Sequence, residues 1–274
     1  MEAPIRIEPD ELEKLLVEIT DRHGYDFTQY SKASLQRRIN SFCLKGKFNN
    51  YESFKKKILH DSYNFNLFVE EITVNVTEMF RDPLFYKTLR TKVIPVLATY
   101  PFIRIWHAGC STGEEVYSMA ILLKEAGILN KSLLYATDLN QTVLEKAKKG
   151  IFNNSAMQQY SENYINSGGQ QNFCTYYSSN YNLAKFDETL TERMVFSSHN
   201  LVSDTSFNEF QLILCRNVLI YFEKGLQSKV LQLFDKSLET LGFLALGSKE
   251  SIKFSSIAPH YTIFDKEKIW RKIN

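Results

Sequence analysis

Residues 103–138, IRIWHAGCSTGEEVYSMAILLKEAGILNKSLLYATD, decide the fold. Ile103-Arg104-Ile105-Trp106 reads as a strand, followed by a Gly/Ser/Thr turn and a helix from about Glu114 to Ala126. Leu133-Leu134-Tyr135-Ala136 reads as a second strand, ending at Asp138 and followed by a helix through Lys149. Strands alternating with helices form βαβ units and a mainly parallel sheet. Small residues at 108–113 let a ligand approach the backbone closely, and the helix start offers N–H donors. Asp138 stands where a carboxylate at the tip of the second strand can accept both hydroxyls of a ribose. Together they point to an adenosine-containing cofactor at the carboxyl ends of the sheet. A pyrophosphate calls for G-x-G-x-x-G, whereas this loop offers Gly109 and Gly113 with three residues between. Glu114 and Glu115 would repel a diphosphate and suit a ligand bearing an ammonium and a sulfonium. S-adenosylmethionine therefore fits better than NAD. The plainer reading of the two acids is that they complement the helix dipole.

Downstream, the alternation continues through Met194-Val195-Phe196, Phe210–Cys215, a helix near 225–240 and Phe243–Leu246. Tyr261–Phe264 and Ile269–Ile273 flank Asp265-Lys266-Glu267-Lys268 with no helix between, which predicts a terminal hairpin and one antiparallel strand. The stretch 153–192, rich in Asn, Gln, Ser and Tyr, reads as an insertion. Upstream, Leu12, Leu15, Leu16 and Ile19, then Leu35, Ile39 and Phe42, recur at helical spacing. Tyr51, Phe54 and Ile58, and Phe65, Phe68 and Ile72, suggest two more helices, with breaks at Gly24 and Gly46. The expected organisation is a helical domain over 1–75, a linker and connecting helix over 76–100, and an α/β domain over 101–274.

The chain has 274 residues, 44% hydrophobic and 23% charged, with 11 Gly and 6 Pro, which excludes disordered and fibrous classes. No apolar run reaches the roughly 18–20 residues that span a bilayer. The start, Met1-Glu2-Ala3-Pro4, lacks a signal peptide's features. Cys43, Cys110, Cys174 and Cys215 form no C-x-x-C pair, and the five histidines show no metal-ligand spacing. The expectation is a cytoplasmic protein with reduced thiols and no metal. Net charge is +2, but residues 1–30 carry eight acids against three bases, and residues 31–60 carry eight bases against Glu52 alone. Such a field can steer an acidic partner; a solvated helix face is the plainer alternative.

Three further constellations could carry chemistry. Asn75–Pro83 (NVTEMFRDP) lies between the two halves, where Asn and Thr can be caps and Arg81 can pair with Asp82 or Glu78. Cys215–Phe222 (CRNVLIYF) follows a hydrophobic strand at the end that faces the ligand crevice, which places Arg216, Asn217 and Tyr221 to contact a ligand. His199-Asn200-Leu201 follows the strand ending near Ser198.

These pieces, in this order, resemble the CheR family of chemoreceptor glutamate O-methyltransferases. The resemblance rests on NVTEMFRD (75–82), RIWHAGCSTGEEVYS (104–118), ATDLN (136–140), SHNL (198–201), LCRNVLIYF (214–222) and SLQRRI (34–39). It implies a small all-helical N-terminal domain, then a Rossmann-like class I S-adenosylmethionine-dependent methyltransferase domain with a C-terminal hairpin and an inserted subdomain. It further implies that Asn75, Thr77 and Arg81 reach the cofactor, and that the loop at Gly109 approaches it. Glu115, rather than Glu114, would contact the methionine moiety, Asp138 the ribose, and Asn200 and Leu201 the adenine. Arg216 and Asn217 would line the pocket, and Arg81 and Tyr221 would orient the substrate carboxylate. Arg37 and Arg38 match a basic helix that docks on the glutamate-rich helices of a receptor. His107 stands where a serine is usual, and Lys249 interrupts a usual Ser-Glu pair. The insertion corresponds to a region that binds a receptor's C-terminal pentapeptide in some members; Gly168-Gly169 is the trace of its signature here.

The implied reaction is attack of a receptor glutamate on the sulfonium methyl, giving a methyl ester and S-adenosylhomocysteine. A carboxylate is ionised at neutral pH, so positioning replaces general-base catalysis. A monomer acting on membrane-bound receptors from the cytoplasm, without inserting into the membrane, is expected. The rival reading is a non-catalytic signalling scaffold that binds S-adenosylmethionine. Methylation of nucleic acid is disfavoured, because Phe48, Tyr51 and Phe54 fall on apolar helical positions and leave few stacking platforms.

Overall fold

The computed structural model describes residues 7–48, 50–73 and 76–274. The chain divides into two compact units, Met1–Asn75 with Tyr221–Lys229, and Val76–Ile220 with Val230–Asn274.

The first unit holds helices α1 (Pro9–His23), α2 (Lys32–Lys45), α3 (Tyr51–His60) and α4 (Ser62–Ile72). Local chemistry sets their ends. A Glu8/Glu11 capping box with Pro9 starts α1, and Gly24 ends it in the left-handed region at φ 75°. The Asn50 side chain caps α3, and Asp61 accepts from Tyr63 and Asn64 N–H at the start of α4. Leu12, Leu15, Leu16, Ile19, Leu35, Ile39, Phe54, Ile58, Phe65, Phe68 and Ile72 are buried, the stripe that helical spacing predicts. Tyr51 is half-buried, and its hydroxyl donates to the Glu11 carbonyl at 3.1 Å. The acidic and basic segments fold onto each other: Lys55 pairs with Glu18 at 2.6 Å and Lys32 with Glu13 at 3.9 Å. Lys45 pairs with Glu71 at 2.7 Å. The basic run is thus narrower as a field than its sequence suggests. Residues 221–229 are stitched to this unit by Ser31 N–H to Tyr221 O (2.8 Å), Glu223 N–H to Gln29 O (2.9 Å) and the Tyr30–Phe222 ring contact.

The second unit begins with α5 (Pro83–Thr88), a π-helical turn (Leu89–Val93) and α6 (Ile94–Leu97). Then follow β1 (Ile103–Ala108), α7 (Glu114–Glu125), β2 (Ser132–Asp138) and α8 (Gln141–Lys149). The inserted region comprises β3 (Ile151–Asn153), α9 (Met157–Asn166), β4 (Tyr177–Asn180), β5 (Leu183–Phe186) and α10 (Glu188–Thr191). The remainder is β6 (Met194–Ser198), β7 (Phe210–Cys215), α11 (Lys224–Ser237, of which the residues up to Lys229 belong to the first unit), β8 (Leu238–Leu246), β9 (Tyr261–Asp265) and β10 (Ile269–Lys272). Seven strands form one sheet in the order β6-β2-β1-β7-β8-β10-β9. All neighbouring pairs from β6 to β8 are parallel, and β10 is antiparallel to both β8 and β9. The expected α/β class and terminal hairpin are both present. The chain leaves β1 for β2 on one side and reaches β7 on the other, so the topological switch point lies between β1 and β7. In an open α/β sheet that is where a ligand crevice opens.

One expectation is corrected. β8 begins at Leu238 rather than Phe243; a register shift between Phe210 and Leu212, with Leu241 at φ 69°, hides its first half from a search for continuous apolar residues. The polar insertion is the inserted subdomain that was expected: β3, β5 and β4 form a second, antiparallel sheet. Phe152, Tyr164, Phe173 and Phe186 from this region share one buried cluster with Val116, Tyr117 and Leu144. Among the described residues no helix is long and apolar enough to cross a membrane.

Candidate active site

The loop after β1 is a tight wrap. Gly109, Ser111 and Gly113 all have positive φ (79°, 51° and 96°). A Cβ on Gly109 would stand 2.6 Å from a Val218 methyl, so only glycine lets the loops after β1 and β7 meet at the switch point. The N–H groups of Gly109 and Cys110 both donate to Thr137 O, at 2.8 and 2.9 Å. Ser111 N–H donates to Asp138 Oδ2 at 2.9 Å, and Gly113 N–H to Cys110 O at 3.1 Å. The loop therefore uses these donors internally and does not present them to a phosphate.

Asp138 accepts from Ser111 and Asn140 N–H, the latter at 3.0 Å on Oδ1. A carboxylate has about four lone-pair sites, so acceptor capacity remains for a diol hydroxyl beside these backbone donors. Burial raises its pKa, while the backbone donors of Asn140, Ser111 and Leu139 hold it down. His199 N–H donates to Asp138 O at 3.2 Å, which brings the Asn200–Leu201 loop alongside. The Asn200 side chain acts locally, Oδ1 accepting from Val202 N–H at 2.9 Å.

Arg216 is the hub of the site, its side chain 3% exposed. Nη2 donates to Asp82 Oδ2 (2.6 Å) and to the Arg81 carbonyl (3.2 Å), and Nη1 donates to Glu115 Oε2 (3.3 Å). The guanidinium lies over the Phe85 ring, 4.0 Å from its centroid. His107 Nδ1 bonds the other oxygen of Glu115 at 2.9 Å. Burial alone would raise the Glu115 pKa, but the His107 hydrogen bond and charge, with Arg216, outweigh it and hold the carboxyl below its usual range. Its neighbour Glu114 pairs with no cation among the described residues; burial pushes it up to about 7, opposed by the Thr112 hydroxyl at 2.7 Å. The two adjacent acids of the sequence thus differ in kind.

Arg81 sits on a strained turn. Phe80 (φ 52°) and Asp82 (φ 60°) both occupy the left-handed region, a cost of about 1–3 kcal/mol each for non-glycine residues. Three bonds enforce it: Phe80 N–H to Ser118 Oγ (2.9 Å), Asn163 Nδ2 to Met79 O (3.0 Å) and Arg216 to Asp82. The Arg81 guanidinium itself makes one hydrogen bond among the described residues, to Val76 O at 3.1 Å. The pairing of Arg81 with Asp82 or Glu78 that the sequence allowed is not formed; Asp82 is taken by Arg216. Beyond β7, Asn217 is left-handed (φ 61°), its N–H held by Glu250 Oε2 at 3.0 Å. Glu250 also accepts from Gly247 N–H (2.6 Å) and Ile220 N–H (3.3 Å), gathering the loop that carries Arg216 and Asn217.

The structure thus brings Arg81, Glu115 and Arg216 together, sets Gly109 against the loop of Asn217, and places Asp138 beside the Asn200–Leu201 loop. Thr77 is half-buried, and Asn75 lies outside the described residues. Tyr221 belongs to the first unit, where the Arg38 guanidinium lies over its ring at 4.9 Å. Arg38 is half-buried and donates to the Ile72 carbonyl at 3.4 Å, whereas Arg37 is exposed. Sequence reasoning gave Ser118 and Asn163 no role and named Asp82 only as a partner for Arg81. His107 and the Ser-Glu pair that Lys249 interrupts, whose acid is Glu250, were noted only as departures from the family pattern.

The residues fit S-adenosylmethionine: a diol acceptor at Asp138, a carboxylate at Glu115 for a cationic amino acid, and a loop whose Gly109, Cys110, Ser111 and Gly113 N–H groups are already used. Fold and site together define a Rossmann-like S-adenosylmethionine-dependent methyltransferase domain. Two family descriptions match the chain, "CheR methyltransferase, all-alpha domain" over residues 10–73 and "CheR methyltransferase, SAM binding domain" over residues 75–267. The chain belongs to the CheR methyltransferase family. It is 44% identical over 261 residues to the "Putative methyltransferase Cher3" of Pseudomonas putida, covering 94% of this chain and 96% of that one. It is 32% identical over 231 residues to the "Chemotaxis protein methyltransferase" of Listeria innocua (84% and 85% covered). To the protein of that name from Borreliella burgdorferi it is 28% identical over 268 residues (91% and 90% covered).

Proposed function

We propose that this methyltransferase esterifies glutamate side chains on the cytoplasmic helices of a chemoreceptor, giving glutamate methyl esters and S-adenosylhomocysteine. The observation that carries this reading is the Arg81 turn. A strained, triply braced segment presents a guanidinium with one hydrogen bond of its own, while the neighbouring cation Arg216 is taken up by Glu115 and Asp82. Braced strain beside a cofactor site is a positioning device. S-adenosylmethionine, when bound, supplies an electrophilic methyl group. The target carboxylate is already ionised at neutral pH, so the protein's task is alignment. Arg81 aligns one carboxylate oxygen and leaves the other free to attack; the resemblance gives Tyr221 a share of this task. Chemotaxis names among the relatives support the receptor substrate. Exposed Arg37, with Lys47, Lys56 and Lys57, would meet the acidic helices of that receptor.

The test is transfer of labelled methyl from S-adenosylmethionine to receptor-containing membranes, read as methanol released by alkali. Arg81→Ala is expected to lower turnover by about 10²-fold, the scale for lost alignment. Unchanged turnover in both Arg81→Ala and Tyr221→Phe would refute the assignment of these residues. Label stable to alkali would refute glutamate as the target.

A further inference from the structure

The β9–β10 turn, Lys266-Glu267-Lys268, has no part in the site so far. Because β10 runs antiparallel to β8 and β9, this turn stands at the edge of the sheet where β8 ends, the edge that carries the cofactor loops. It is fixed there: Leu246 N–H donates to Lys268 O at 3.0 Å, and Lys92 holds Asp265 at 2.7 Å. Between it and the Asp82–Phe85 turn lies a cleft of about 260 Å³, the space of one or two side chains, with Arg216 in its lining.

Its chemistry is two-sided. Leu84, Phe85 and Leu246 make an apolar wall, and Leu84 is 60% exposed. The lining also holds exposed Lys266 and half-buried Lys268, which form no ion pair among the described residues. Of the two acids in the lining, Asp82 is engaged by Arg216, which leaves Glu267 against two lysines. Arg216 Nε is buried and has no hydrogen-bond partner among the described residues. An apolar wall with a cationic rim suits a methylene stem that ends in a carboxylate; a phosphate would gain nothing from the wall.

We propose that this cleft binds an acidic side chain of the polypeptide substrate, a neighbour of the glutamate that is methylated. Lys266 and Lys268 would be specificity residues. The inference rests on the glutamate reading above and adds to it the sequence context that the enzyme selects. A target flanked by acids is favoured over the same target flanked by amides.

The experiment uses two synthetic helical peptides with one target glutamate, flanked at helical spacing by glutamates in one and by glutamines in the other. Binding is read by fluorescence anisotropy and methyl transfer by alkali-released methanol, with the full chain in both. The wild type is expected to prefer the glutamate-flanked peptide by about fivefold or more in Kd and KM, a gain on the scale of one or two partly exposed ion pairs. The Lys266→Gln/Lys268→Gln variant loses that preference. Leu84→Glu, which charges the apolar wall without touching the lysines, loses it too. Full preference retained in both variants overturns the proposal. A preference that depends on these residues, with no alkali-labile methyl formed on either peptide, would keep the cleft and refute the glutamate reading instead.

Discussion

Replacing Glu114 by Gln isolates the energetic cost of one buried carboxylate. Glu114 is 6% exposed and its pKa is raised from an ordinary 4.5 to about 7, chiefly by burial. Its partners are hydroxyls, Thr112 at 2.7 Å and Tyr160 at 3.5 Å, and no cation among the described residues pairs with it. A raised carboxyl pKa means that the native state holds the proton more tightly than the unfolded chain. The associated stability is fully present below the unfolded pKa of 4.5 and is lost as pH rises through about 7. The gap between those two values corresponds to about 3 kcal/mol at 1.36 kcal/mol per pKa unit. Glutamine keeps one acceptor, and both hydroxyls can rotate to accept from its amide. Allowing for that rearrangement, Glu114→Gln should be more stable than wild type by about 1–2 kcal/mol above pH 7, a rise of about 2–8 °C in Tm. Near pH 4.5 the two proteins should melt together. Calorimetric melting across that interval checks both sign and window. A variant that melts below wild type at about pH 8.5, or whose offset does not change with pH, refutes the reasoning.

The other perturbations act on named contacts. Asp138→Ala should weaken S-adenosylhomocysteine binding by about 1–3 kcal/mol in titration calorimetry, the scale for hydrogen bonds to a charged group. Gly109→Ala forces a left-handed alanine whose Cβ stands 2.6 Å from Val218. Thermal melting should show a loss of about 2–4 kcal/mol, with weaker cofactor binding because two loops are pushed apart. Glu250→Gln sets an amide group against backbone N–H groups that now find a carboxylate; a loss of about 2–3 kcal/mol is expected. Restored cofactor affinity in Glu250→Asp would show that the carboxylate, rather than the side chain's length, organises the Asn217 loop.

Much of the site was legible because its residues cluster at strand ends. Gly109 and Asp138 follow from the period of one βαβ unit, and Arg216 from its place after the most apolar strand. What stayed hidden is set by long-range partnership. Nothing local tells Arg216 that Asp82, 134 residues away, will claim one of its amino groups. Nothing local tells Glu114 from Glu115; only the histidine on β1 and the arginine after β7 separate a paired acid from a solitary one. Segment charge was legible only as a sum, and its pairing was not. The acids of α1 and the bases of α2 and α3 look independent along the chain, yet pair across it. The insertion hid its order because its rings are spaced among polar residues that face outward, so no period of 2 or 3.6 persists.

That insertion also bears on how such proteins can be rebuilt. The Asn163 side chain holds the Met79 carbonyl, and the Phe80 ring packs on Tyr164 and Phe173, with centroids 5.2 and 6.1 Å apart. The segment that looks most like an ornament is therefore the buttress of the arginine turn. A chimera that grafts a relative's insertion onto this chain would change the seating of Arg81 along with the surface it meant to exchange. Trimming it for crystallisation or expression would take away the support of that turn.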